Sequence, residues 1–299
     1  MTHILLSGSN GFVGRNILPL LEKKYKVSTL DVSNSMIISN ISREIPLVKN
    51  GCDIVLHVAG KAHSVPKTEL EKQAFFDINY QGTVNLCKGL EQSGLPKSFI
   101  FISTVAVYGC ETGENISENH PLNGDTPYAL SKIQAEQYLT EWCSKNEVVL
   151  SILRPSLIAG PNPPGNLGTM IRGIKSGFYF NIAGGKAKKS VLMVQDIANL
   201  IPLLIEKGGI YNVCDDEQPS FGQIAEVISE QLGKKKPVSI PYFVAKMMAL
   251  CGDLLGNKAP INSDKLAKIT QPLTFSNKKV KDNLGWKPLN VLEKFKIFE

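Results

Sequence analysis

Paired cysteines are missing from this chain. Its 299 residues hold six, Cys52, Cys87, Cys110, Cys143, Cys214 and Cys251, scattered singly with no C-x-x-C spacing. That pattern argues against a disulfide framework or a zinc site and for reduced thiols, so no metal is expected. No secretory leader is expected either, because Met1-Thr2-His3 runs straight into an apolar segment with no basic start or cleavage site. A cytoplasmic location is the expectation. No stretch is long and apolar enough to span a bilayer. The most apolar late segment, Ile240 to Leu255, is broken by Pro241, Lys246, Gly252 and Asp253. It is expected to be a buried helix under a lid, with no membrane partner. Repeats and low-complexity segments are absent. Lysines gather at Lys186, Lys188 and Lys189 and at Lys234-Lys235-Lys236, without interleaved aromatics. A nucleic-acid partner is therefore not expected. The net charge of +6 suits a small phosphate-bearing ligand better.

What is present is an ordinary globular composition, 43 % hydrophobic and 20 % charged, long enough for one large or two modest domains. Short continuous apolar runs at Ile4–Leu6, Val27–Leu30, Ile54–Val58, Phe99–Ile102 and Val148–Leu153 have the texture of strands buried on both faces. Helical patterns lie between them at Phe12–Lys24, Leu70–Ser93 and Pro127–Lys145. Alternating strands and helices imply right-handed crossovers and a parallel α/β sheet. After Arg154-Pro155 the texture changes: Gly160 to Gly165 is a loop, Val191–Val194 and Ile210–Val213 resemble further strands, and helices follow. We expect a doubly wound domain over 1–160, its sheet completed by about 190–213. A smaller, mostly helical lobe is expected from 161–189 and 214–299.

Two motifs carry chemistry. Gly8-Ser9-Asn10-Gly11-Phe12-Val13-Gly14 follows the first strand and opens a helix. Glycines there let the backbone turn tightly and approach a pyrophosphate seated on the helix amino terminus. Asp31 ends the second strand, where a carboxylate accepts both ribose hydroxyls and repels a 2′-phosphate, favouring NAD over NADP. The second motif is Pro127-Tyr128-Ala129-Leu130-Ser131-Lys132, with Ser103-Thr104 about 25 positions upstream. Thr126 supplies a helix cap and Pro127 the first helical position. Residues four apart share a helix face, so the Lys132 ammonium is expected to depress the Tyr128 phenol from its usual pKa near 10.

Gly8-x-x-Gly11-x-x-Gly14, Asp53-x-Val55-x-His57-x-Ala59, Ser103-Thr104-x-x-Val107-Tyr108-Gly109 and Tyr128-x-x-x-Lys132 together resemble the extended short-chain dehydrogenase/reductases. Within them the chain is most similar to the nucleotide-sugar epimerase/dehydratase family, UDP-hexose 4-epimerases in particular. Leu284-Gly285-Trp286-Lys287-Pro288 resembles that family's carboxy-terminal signature. The resemblance implies a Rossmann-type fold, bound NAD, a nucleotide-sugar substrate of the kind used in polysaccharide biosynthesis, and a homodimer through Leu70–Ser93 and Pro127–Lys145. It assigns Tyr128 as acid/base, Lys132 as its activator and nicotinamide-ribose ligand, and Thr104 as hydroxyl partner with Ser103 beside it. It also implies that Asn10, Phe12 and Val13 in the glycine loop contact the cofactor. Asn40-Ile41 (near adenine), Val58-Ala59-Gly60, Asn79 and Pro155 are implied cofactor contacts too. Asn166-Leu167 would meet the substrate pyrophosphate. His63, past a strand end, is a substrate-pocket candidate, whereas His57 within a strand is expected to be structural.

Departures from the family pattern narrow the chemistry. Dehydratases carry an Asp-Glu pair where this chain has Val105 and Ala106, which transfer no protons, so 4,6-dehydration is not expected. Lys189 stands for a phosphate-binding arginine and loses its bidentate geometry. Leu157 replaces a frequent asparagine. Leu273 stands where some epimerases have a bulky tyrosine, leaving room for an N-acetyl group. The expected activity is NAD-dependent 4-epimerisation of a UDP-hexose or UDP-N-acetylhexosamine. The alternatives are an NAD(P)H-dependent 4-keto-sugar reductase and a silent dinucleotide-sensing relative.

Overall fold

Apolar runs with no polar face need cover on both sides, and seven strands find it in one parallel sheet. The computed structural model describes residues 1–49, 51–254 and 261–298. The chain runs β1 (His3–Ser7), α1 (Phe12–Glu22), β2 (Lys26–Asp31), β3 (Ile37–Ile38), β4 (Ile54–His57), α2 (Glu69–Phe76), α3 (Gly82–Ser93), β5 (Ser98–Ile102), β6 (Gly113–Ile116), α4 (Pro127–Lys145) and β7 (Val149–Pro155). It continues β8 (Leu157–Ala159), α5 (Gly165–Ser176), β9 (Asn181–Ile182), β10 (Val191–Met193), α6 (Val194–Leu204), β11 (Gly209–Val213), α7 (Phe221–Gln231), β12 (Ser239–Ile240), α8 (Tyr242–Asp253), α9 (Ser263–Thr270), β13 (Leu273–Phe275), α10 (Lys278–Leu284) and α11 (Val291–Lys294).

The large sheet has the order β3-β2-β1-β4-β5-β7-β11, every pair parallel. Side chains alternate across it. Ile4, Leu6, Leu56 and Ile100 meet α1 and α6 on one face, while Leu5, Val55, Phe99 and Phe101 meet α3 and α4 on the other. Strand order reverses between β1 and β4, which opens a crevice at their carboxyl ends. The smaller core joins α5, α7, α11 and the β8–β10 pair.

Four expectations change. Val191–Met193 does not enter the large sheet but pairs with Leu157–Ala159, because β7 already has β5 and β11 on its two edges. Residues 278–286 are not part of the small lobe's core: Val280, Leu284 and Trp286 pack with α1 and α6 on the sheet. The helix expected over Leu70–Ser93 is interrupted by a five-residue π-turn, Asp77–Gln81. Finally, α8 is a helix but not a buried one, since only Ala245, Ala249 and Gly252 face inward. Leu255, which ends that apolar stretch, lies outside the described residues.

His57 is structural, as expected of a buried strand. Its Nε2 lies 2.9 Å from Thr83 Oγ1, and that hydroxyl donates to the Asn79 carbonyl at 2.6 Å. Nε2 therefore carries the proton and Nδ1 accepts from Ser7 Oγ at 2.5 Å. Burial and the Lys132 charge push the imidazole down to about 3. A depressed histidine contributes stability that is complete above its unfolded value near 6.5 and lost as pH falls towards 3. Urea unfolding between pH 6 and 5 should thus carry a slope of about 1.4 kcal/mol per pH unit from this group. His57→Gln should remove most of it, and an unaltered slope would contradict the assignment.

Candidate active site

The crevice begins at the glycine loop. Gly8 has φ +78°, and a Cβ there would lie 2.5 Å from the Ala59 amide nitrogen, so only glycine lets the loop press on the segment after β4. A side chain on Gly14 would strike the Gly8 carbonyl. Gly11 precedes α1 without a side-chain cap, which leaves the first amides of that helix open to an anion. Asp31 accepts from the Asn10 amide at 2.8 Å and the Val32 amide at 2.7 Å. Two backbone donors fix this carboxylate at the crevice wall. The Asn10 side chain donates to the Ser33 carbonyl, so Asn10 shapes the loop. The Phe12 and Val13 side chains pack into the core beneath the loop.

Beyond the loop lies a cleft of about 480 Å³, lined by Gly8, Gly11, Asp31, Asn40, Ile41 and the Val58–Gly60 segment, with Arg43 at one side. The Asn40 side chain closes a turn on Ser42 at 2.7 Å, and Ile41 is pinned by Asn85 through a 2.7 Å bond to its carbonyl. Glycine loop, open helix terminus and acceptor carboxylate lie along one crevice. That arrangement suits a dinucleotide, with its pyrophosphate at the helix terminus and its adenosine ribose at Asp31. Pro155 is buried at the end of β7 opposite Val213.

The second constellation stands on α4. Thr126 caps the helix through the Ala129 amide and Pro127 opens it, which places Tyr128 in the first turn. Thr104 Oγ1 accepts from the Ala106 amide at 3.1 Å, and the same side chain lies beside the Tyr128 phenol. Lys132 is almost fully buried. It donates to the Ile102 carbonyl at 2.8 Å, lies 4.5 Å from the centre of the Phe101 ring and borders Gly60. Burial pushes this amine down to about 8, with Glu136 pulling it back up. The phenol behaves differently from expectation. Burial raises its pKa, and the neighbouring Thr104 hydroxyl offsets this in part. The expected depression by Lys132 is not found, because the ammonium is drawn towards Ile102 and Phe101.

Asn79 and Ser103 take supporting places. Fully buried Asn79 accepts from the Lys61 amide at 2.7 Å and donates to the Lys61 carbonyl at 3.1 Å and to Ser131 Oγ at 2.9 Å. It thereby ties the crevice loop to α4. Ser103 donates to Glu136, away from the Tyr128–Thr104 pair. Glu136 in turn holds Arg154 through Nε at 3.1 Å and Nη2 at 2.5 Å, and Arg154 donates to Tyr108 Oη at 3.0 Å. The family pattern did not single out Glu136 or Arg154. The available signal was spacing: Tyr128, Lys132 and Glu136 recur every four residues along one stripe of α4.

On the substrate side, the structure brings His63 and the start of α5 together. His63 has φ +59°, and a Cβ on Gly165 would meet its Nδ1 at 2.8 Å. Burial lowers the imidazole pKa. Asn166 is exposed in the first turn of α5, while the Leu167 side chain is sunk in the small core, so only the backbone of Leu167 is left to face a ligand. Lys189 is directed elsewhere than towards an open phosphate site. Its ammonium donates to the Lys268 carbonyl at 3.0 Å and the Gln271 carbonyl at 2.9 Å, satisfying the last turn of α9. Among the described residues no cluster of histidine, cysteine and carboxylates is arranged to hold a metal.

The model of the NAD dependent epimerase/dehydratase family matches residues 4–214. The N-acetyl-alpha-D-glucosaminyl-diphospho-ditrans,octacis-undecaprenol 4-epimerase of Escherichia coli O157:H7 is 30 % identical, the alignment covering 93 % of this chain and 88 % of that protein. The UDP-glucose 4-epimerase of Vibrio cholerae is 28 % identical over 97 % and 92 %. Among solved structures, the UDP-N-acetylglucosamine 4-epimerase of Bacillus cereus superposes with a TM-score of 0.75 over 98 % of this chain and 93 % of that one, at 18 % identity. That likeness is one of fold.

Two substitutions separate structural from binding roles. Lys189→Met should destabilise the protein by about 1–3 kcal/mol in urea unfolding and leave KM unchanged. A tenfold or greater rise in KM, the roughly tenfold-plus effect of losing a charged hydrogen bond to substrate, would restore it to the phosphate site. Arg154→Ala strands the buried Glu136 carboxylate and should cost about 3–5 kcal/mol. A loss below about 1 kcal/mol would mean that water reaches the pair.

Proposed function

Because the chain belongs to the NAD-dependent epimerase/dehydratase family, we propose that it is a 4-epimerase of a diphosphate-linked hexose, a UDP-hexose or UDP-N-acetylhexosamine. The carrying observation is the phenol of Tyr128 beside the Thr104 side chain, with the Lys132 amine one helical turn away at the Gly60 edge of the dinucleotide cleft. NAD, when bound, accepts a hydride from sugar C4 and returns it. The chain's own part is positioning and proton transfer. Thr104 holds the sugar O4 beside the phenol oxygen. Tyr128 takes the O4 proton as the carbonyl forms and gives it back when the opposite configuration is made.

A phenol raised by burial is a reluctant base when the site is empty. The positive charge of an oxidised NAD held in this cleft would favour the phenolate and bring its pKa down, and the Lys132 ammonium one turn away would act in the same direction. Val105 and Ala106 carry no proton, which supports simple epimerisation over loss of water. Asp31, with its two backbone donors, supports NAD over NADP. His63, Asn166 and the Leu167 amide form the wall that receives the diphosphate. A polyprenyl carrier, the kind named for the E. coli relative, presents the same diphosphate to these groups. The face of helices α2, α3 and α4 turned away from the cleft is the surface for a second copy.

NMR of UDP-glucose, UDP-N-acetylglucosamine and a polyprenyl-diphospho-N-acetylglucosamine, each incubated with the enzyme, should show conversion at C4 without added NADH. Tyr128→Phe should slow it by roughly 10²–10⁴-fold. Near-normal turnover of that variant would remove Tyr128 from the mechanism. Consumption of NADH by a 4-keto sugar, with no epimerisation, would establish a reductase instead.

A further inference from the structure

Helix α8 is built inside out. Its buried positions are the small residues Ala245, Ala249 and Gly252, one stripe that packs against Leu266, Ile182 and Ile240. Its large apolar side chains point away from the protein: Phe243 is 72 % exposed, and Met247, Met248 and Leu250 each about half. A helix on an ordinary soluble surface shows the reverse arrangement. The apolar area continues beyond the helix. Strand β12, just before α8, lies parallel to β9 with Ser239 beside Asn181, and the Asn181 amide donates to the Val238 carbonyl at 3.0 Å. That register sets Phe180 alongside Val238, both exposed, with exposed Phe178 two residues before it. Contiguous apolar area of this kind marks a contact surface.

Charge and polarity indicate which contact. Lys234 and Lys235 are exposed where the chain enters β12, Lys236 beside them is paired with Glu226 at 3.2 Å, and Lys246 projects from α8 among the apolar side chains. The only carboxylate on α8, Asp253, is turned to the Ser263 amide at 2.8 Å and hydroxyl at 2.6 Å. The patch therefore presents cations and hydrocarbon, with almost no directional hydrogen-bonding groups. A protein partner needs such groups across an interface, about one bond per 100–200 Å², whereas an anionic lipid surface needs none. We propose that Phe178, Phe180, Val238 and the outer side of α8 dock on an anionic lipid surface, the apolar side chains entering the headgroup boundary and the lysines meeting lipid phosphates. Among the described residues no helix is long and apolar enough to cross a membrane, so the contact is interfacial.

The position has a use. Helix α5 is 12 residues long, with Asn166 in its first turn and Phe178 just past its end, so it spans about 18 Å at 1.5 Å per residue. Docking would hold the substrate lobe one short helix from the bilayer.

Flotation of the full chain with vesicles tests this. It should float with vesicles of phosphatidylcholine and phosphatidylglycerol, less with phosphatidylcholine alone, and less at high salt. The double variant Phe243→Ser, Met247→Ser should bind at least roughly tenfold more weakly while keeping its thermal midpoint and its turnover of a soluble UDP-sugar. Replacing Lys234, Lys235 and Lys236 by Gln should erase only the preference for anionic vesicles. A wild-type chain that stays with the unbound fraction, or a double variant that floats equally well, overturns the proposal. So does a double variant whose sole effect is to dissociate a dimer in light scattering, which would make the patch a contact between copies.

Discussion

One hydrogen bond organises the catalytic half of the molecule: the Lys132 ammonium donating 2.8 Å to the carbonyl at the end of β5. An amine buried in a sheet-facing helix needs acceptors and an electron-rich surface, and the Ile102 carbonyl and Phe101 ring supply both. This anchor fixes the rotation of α4 about its axis. Once that rotation is set, Tyr128 one turn earlier faces Thr104, and Glu136 one turn later faces Arg154.

The helix stripe therefore carries three ionisable groups in different settings. Tyr128 faces Thr104, Lys132 stands between the sheet and the Gly60 segment, and Glu136 neutralises the buried Arg154 of β7. A buried ion pair gives little net stability over a hydrophobic replacement. Its value here is orientation, since Arg154 also holds Tyr108 and Tyr108 donates to Asn212 on β11. The site's rear wall is a chain of charged and phenolic groups linking α4, β7, β11 and the 3₁₀ turn after Thr104.

Much of this was legible in residue order. Continuous apolar runs identified six of the strands in or beside the large sheet, and Thr126-Pro127 marked the start of α4 to the residue. The glycine loop and Asp31 were readable because each needs a backbone feature only certain residues permit. The places where sequence misled share a cause: long-range partners. Lys189 follows the family's spacing for a phosphate contact, yet its ammonium finds carbonyls some 80 residues downstream. Val191–Met193 has strand composition, but which sheet it joins depends on the edges already taken. Helix α8 has enough apolar residues to be buried, and only packing reveals that its small ones face in.

The π-turn at Asp77–Gln81 makes the spacing of this region unforgiving. One extra residue per turn lets Asn79 sit at 0 % exposure between Lys61 and Ser131, while Phe75, just upstream, keeps its ring 6.1 Å from that of Tyr128. Trimming a single residue from that bulge would restore regular winding, but at about 3.6 residues per turn it would swing everything before it by about 100°. Phe75 would leave the tyrosine and the amide would lose its loop. Length, rather than any one side chain, is what this segment has to preserve as the sequence drifts.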